Sequence, residues 1–194
     1  MGGPRIKGAA VREFLRWYSQ RRSPEALRAA LATLPPDVQE LFDPSADGLG
    51  LLPSSWYDSR AVHLLLESIV ASTPEAELPE TIREGARFAI DQSVRGIYRF
   101  VLVQLTPDIY VRQIQRLWRM LHDTGEREIV MLSRSSCRSF TRDWPGHHPV
   151  LCAATIESMT AILEILGCRG VRAQRIACVS HGAPECVADL EWDR

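Results

Sequence analysis

The hydrophobic period of this chain changes near residue 126, and that change constrains the fold more than any other feature. Before it, apolar residues recur at helical spacing. In AAVREFLRWYS, Val11, Phe14, Leu15 and Tyr18 share one helical face. SPEALRAALATL follows, with Ser23 suited to cap it and Pro24 to its first position. PPDVQELF suits a short helix, and DPSADGLGLLPSS is a loop by composition. YDSRAVHLLLESIVAS reads as a helix capped near Asp58 or Ser59. ETIREGARFAIDQSVRGIYRFVLVQL is a long helical stretch presenting Ile90, Val94, Ile97 and Val101 on one face. Pro107 opens a further helix, with Tyr110, Ile114, Leu117, Trp118 and Leu121 in its stripe.

Beyond residue 126 the pattern alternates. EREIVMLS and SCRSFTRDW read as paired strands, and HPVLCAATIESMTAILEILG as a helix started by Pro149. VRAQRIACVS and ECVADLEW are two more strands around HGAP. The order predicts one α+β domain over residues 1–194. A helical part (1–125) precedes a ββαββ part (126–194), whose four-stranded antiparallel sheet is covered by helices. A chain of 194 residues with 45% hydrophobic content can bury one such core.

Charge and targeting signals narrow the function classes. The 23 basic and 24 acidic residues nearly cancel, which argues against a nucleic-acid or anionic-membrane partner. No 18-residue apolar run predicts a membrane span. MGGPRIKGAAVREF lacks the apolar core of a secretory signal, so a cytoplasmic location is expected. The five cysteines, at 137, 152, 168, 178 and 186, are then expected as thiols.

Three of these cysteines belong together by position. In the last hairpin, alternation puts Ile176 and Cys178 on one face, and Cys186, Ala188, Leu190 and Trp192 on one face of the returning strand. Folding about Gly182 sets Cys178 opposite Cys186. Cys152 lies in the first turn of the preceding helix, on the face that also carries Ile156 and Met159. Three converging thiols serve equally as core packing or as ligands of a tetrahedral zinc. Adjacent His147 and His148, in GHHP, point different ways and read as structural.

The segment from Cys152 to the C-terminus, with its ending CVSHGAPECVADLEW, resembles the 4-vinyl-reductase-type small-molecule-binding domain. That superfamily also includes the TRAPP vesicle-tethering subunits and the haem-nitric-oxide-binding domains. The resemblance implies a zinc held by three cysteines, here Cys152, Cys178 and Cys186, and by an acidic residue three positions before the hairpin's first cysteine. Arg175 stands at that position and would repel the metal. His147, His148, His181 and Glu185 are the candidates to replace the missing ligand. The haem version of the fold needs a histidine on a helix and a Tyr-x-Ser-x-Arg motif. VMLSRSSCRSF supplies no matching tyrosine, which argues against haem.

No phosphate loop, nucleophile elbow or paired-carboxylate couple is present, and the expectation is a non-enzyme. The functional expectation is a regulatory sensor module holding a small apolar or aromatic molecule. Tyr98 and Trp118 are its candidate pocket residues, each a polar tip on an apolar helix face. The alternative is a protein-interaction or scaffold subunit of TRAPP-like fold with no ligand. The apolar stripes within residues 8–34 have little sequence left to cover them and predict a homodimer through the N-terminal helices. Signal output would then need a downstream protein partner.

Overall fold

A computed structural model describes residues 3–94 and 105–193. The helical part runs α1 (Arg12–Arg21), α2 (Pro24–Ala32), α3 (Pro36–Gln39), α4 (Ser59–Ala71), α5 (Leu78–Ser93) and α6 (Pro107–Leu121). The Ser23 side chain accepts from the Ala26 N–H, and Asp58 accepts from the Arg60 N–H, so α2 and α4 start where their caps predict. The described part of the long helical stretch forms α5, to Ser93. Ile97 and Val101 lie outside the described residues.

The ββαββ part follows as expected: β3 (Glu126–Ser133), β4 (Ser136–Arg142), α7 (Pro149–Ile165), β5 (Arg169–Ala177) and β6 (Cys186–Asp193). All neighbours are antiparallel, in the order β3-β4-β6-β5. Cys186, Ala188, Leu190 and Trp192 are all buried, as their alternation predicts. One small sheet was not legible in the sequence. It pairs β1 (Arg5–Lys7) with β2 (Trp56–Asp58), which takes Tyr57 and Asp58 out of the helix start.

Two further readings need correction. Ile176 is 49% exposed whereas Cys178 is buried, so they do not share a face. The register slips between Arg175 and Ala177, whose partners are Ala188 and Val187, and Ile176 is the extra residue of that bulge. A one-residue insertion reverses the side-chain parity beyond it. The N-terminal stripes are also not bare. α1 packs on α5 and α2 on α4, burying Phe14, Leu15, Leu27 and Leu31 within the chain. That burial removes the basis for a homodimer through these helices.

The apolar interior has two parts. One gathers the N-terminal helices with Trp118, Trp144, Cys152, Cys178 and Cys186. The other lies between α6, α7 and the sheet, around Tyr110, Ile114, Ile129, Met159 and Leu190. α7 borders both, and also packs along α5.

Candidate metal centre and ligand cavity

The three sulfurs converge. Cys178 Sγ lies 3.8 Å from Cys152 Sγ and 3.7 Å from Cys186 Sγ. These distances exclude a disulfide, whose S–S length is about 2.05 Å. β5 delivers Cys178 to a short turn over Val179–His181, closed by Gly182 at φ 84°, and β6 begins at Cys186. A left-handed residue in that turn suits glycine, which has no Cβ to strain. α7 brings Cys152 from above in its first turn.

His147 completes a group of four. Its Nε2 lies 3.5 Å from Cys178 Sγ, and the four donor atoms all fall within 4.8 Å of one another. Zinc bonds of about 2.3 Å to sulfur and 2.0 Å to nitrogen give tetrahedral edges of about 3.8 Å between sulfurs and about 3.5 Å between sulfur and nitrogen. The other candidates for fourth ligand are engaged or turned away. His148 Nδ1 accepts from the Val150 N–H at the start of α7. Glu185 receives Arg142 Nε at 2.5 Å. His181 is exposed on the turn. The adjacent histidines point different ways, His148 to the start of α7 and His147 to the sulfurs.

Electrostatics suit a metal. Burial opposes ionisation of Cys178, yet hydrogen bonds from the Ser180 side chain and backbone outweigh it and hold the thiol below its ordinary range. Burial pushes Cys152 and Cys186 up, so a cation is needed to draw their protons off. Burial also lowers His147, helped by the charges of His63 and Arg175, and keeps the imidazole neutral with a free lone pair. Arg175 is therefore close, and its Nε is buried without a hydrogen-bond partner. Three thiolates and one imidazole around Zn²⁺ carry a net charge of −1, which a guanidinium neutralises. Were zinc bound here, the residue read from sequence as repelling the metal would stand as its counter-charge.

A cavity of about 300 Å³ lies further along α7, at the lower end of the small-molecule range of roughly 300–1,000 Å³. α5 contributes Ala89, Ile90 and Ser93 to its wall, and α6 contributes Tyr110, Ile114 and Trp118. α7 contributes Leu151, Ala154, Thr155 and Met159. Trp118 lines this cavity, its Nε1 donating to the Thr124 carbonyl at 3.0 Å. Tyr98 lies outside the described residues. By sequence, His122 is a lone histidine near a helix end and reads as structural, and Arg127, just past an element boundary, was missed.

His122 stacks on Trp118 with ring centroids 3.9 Å apart. Burial, reinforced by the Arg127 charge, lowers its pKa to about 3, so the ring is neutral on the cavity wall. Arg127 is the only buried arginine among the described residues, at 7% exposure. Its guanidinium carbon lies 5.6 Å from the Trp118 ring centroid, and its Nε donates to Ser139 Oγ at 3.4 Å. No carboxylate among the described residues pairs with it. Burying such a cation costs several kcal/mol, and a cation–π contact returns about 2 kcal/mol.

Comparison with known proteins gives a fold. No protein-family profile and no curated protein sequence matches this chain. Solved structures do. A structure probing the function of haem distortion in the H-NOX family superposes with TM-score 0.70 at 9% identity, over 97% of this chain and 96% of the other. An H-NOX protein from S. oneidensis in the Fe(II)NO state gives 0.68 at 10% identity, over 97% and 100%. An oxygen-binding H-NOX domain related to soluble guanylate cyclases gives 0.67 at 8%, over 97% and 96%. The chain has the H-NOX fold. That finding overturns the sequence reading against haem. Its grounds were an absent motif and histidines read as structural, whereas the solved structures that share this architecture are haem-carrying domains. The one cavity-wall histidine among the described residues, His122, also has the neutral imidazole that a haem iron takes.

Proposed function

We propose that this chain is a non-catalytic, regulatory ligand-binding module, in which the cavity between α5, α6 and α7 holds a small apolar molecule. The cavity carries the reading. It is an apolar space at the seam of two packed cores, with few polar groups on its wall, in a fold used for small-molecule sensing. Haem is one ligand of this class. Bound there, it would supply an iron open to a diatomic gas, and His122 is the residue that would hold it.

Zinc on His147, Cys152, Cys178 and Cys186 is the second element of the proposal, as a structural centre of the 4-vinyl-reductase type with histidine in place of the acidic ligand. α7 joins the two sites. Cys152 sits in its first turn, and the next residues along it line the cavity. A ligand that shifts α7 therefore also loads the β5–β6 hairpin, where a downstream partner could read it. The scaffold alternative needs a filled interior, and a cavity of this size counts against it.

The test is binding of a neutral apolar fluorophore, N-phenyl-1-naphthylamine, followed by competition with haemin. Saturable binding that Ala154→Trp abolishes, by filling the cavity, is the expected result. Haemin should compete, and its Soret band should shift in His122→Ala. A folded protein that binds neither probe overturns the reading.

A further inference from the structure

We propose that the molecule held in the cavity carries a carboxylate on its apolar body, and that Arg127 receives that carboxylate. The inference rests on the cavity being a ligand site and adds the chemical class of the ligand. Arg127 lies on β3 beside Thr141 of β4; alternation sends it, like Ile129, toward the helices, and Arg127 lines the cavity. Its backbone N–H donates to Gln115 Oε1 at 2.6 Å, which pins the strand to α6 and fixes where the side chain starts. The guanidinium has five donors. One is spent on Ser139, at 3.4 Å, and the rest have no partner among the described residues.

The neighbouring arginines show what is missing. Arg138 holds Asp189 through two hydrogen bonds of 2.6 and 2.8 Å, and Arg142 holds Glu128 and Glu185. These pairs lie nearer the surface, where water would have sufficed. Arg127, buried and still cationic, lacks the pairing that its exposed neighbours have. A fork of donors matches a carboxylate with two parallel bonds, a match that a single point charge does not make. Tyr110, whose hydroxyl has no partner among the described residues, lines the same wall and stays protonated because burial raises its pKa to about 12. It offers a second donor for the same head group.

Calorimetric titration with 2-naphthoate and its neutral isostere 2-naphthamide tests this, because neither contains a metal and only the acid offers the two acceptor oxygens and the charge that a guanidinium fork takes. Wild-type protein should bind the acid about tenfold or more tightly than the amide. Arg127→Met should abolish that preference and leave the amide affinity within about twofold. Arg127→Lys, which keeps the charge but not the fork, should retain part of it and covers the case where the methionine variant fails to fold. Equal binding in wild type, or a preference that survives in folded Arg127→Met, overturns the proposal. If the amide binds and the acid does not, the cavity reading stands and the anion inference falls. If neither binds, both fall.

Discussion

Cys152 Sγ and Cys178 Sγ lie 3.8 Å apart across 26 residues of sequence, one at a helix start and the other at a strand end. If zinc joins them, the metal ties α7 to the last hairpin, and its binding energy becomes folding energy. Cys178→Ser should then lose zinc and destabilise by more than about 3 kcal/mol. A packing thiol would cost only about 1–3 kcal/mol, for a hydroxyl poorly paired in the core. Cys137→Ser is the control. Cys137 is equally buried but belongs to the other core, so its variant should keep full zinc content. Zinc content by mass spectrometry and unfolding by denaturant read both.

Arg175 gives an independent check on the same centre. As counter-charge to a site of net −1, it favours the thiolates, and its loss should weaken the metal without changing the ligand count. Arg175→Gln should lower zinc affinity by about 10- to 100-fold, the range for groups just outside a metal's ligands. Competition with a colorimetric chelator measures this. Unchanged or tighter binding would restore the reading of Arg175 as a residue hostile to metal.

The sequence showed the elements better than it showed the sites. The four strands of the large sheet, α7 and the caps at Ser23 and Asp58 follow from short-range patterns, and they lie where those patterns put them. The three cysteines could be grouped because they sit on one hairpin and the helix before it. His147 could not be preferred over its neighbour, since the choice depends on which ring caps α7. Ile176 misled because a bulge leaves no mark in alternation until the partner strand is seen. Arg127 was silent for another reason. A buried arginine has the same spelling as an exposed one, and the exposed Glu126 and Glu128 beside it read as an ordinary charged strand edge. The bare N-terminal stripes were covered by α4 and α5, contacts too distant in sequence for periodicity to foresee.

Gly85 marks one of those contacts. A Cβ there would lie 2.5 Å from Phe14 Cδ2 and 2.9 Å from Trp17 Cε3, so α1 and α5 meet at a distance that only glycine permits. In the middle of a helix, Gly→Ala ordinarily gains about 1 kcal/mol. Here the two buried rings must move, and overpacking costs about 1–3 kcal/mol. Gly85→Ala should therefore destabilise, by about 1 kcal/mol net and at most about 2. A higher melting temperature would show that the α1–α5 contact is looser than described.

The buried histidines set the acid side of the stability profile. His122 has its pKa lowered to about 3, chiefly by burial, against about 6.5 in an unfolded chain. Between those values the unfolded state binds a proton that the folded state does not, so stability rises with pH and is lost as pH falls below 6.5. The slope from one such group approaches 1.4 kcal/mol per pH unit. His148, lowered to about 4 by burial and the nearby histidines, acts in the same direction. Lowering the pH from 6.5 to 5 should thus cost about 2 kcal/mol or more of unfolding free energy. His122→Gln, which keeps polarity but cannot titrate, should flatten the profile over that window by about 1 kcal/mol per unit, whatever it does to stability at neutral pH. Urea unfolding of both proteins across the window gives the two slopes. Parallel profiles would mean that water reaches the His122 ring, and that the cavity wall at Trp118 is wet.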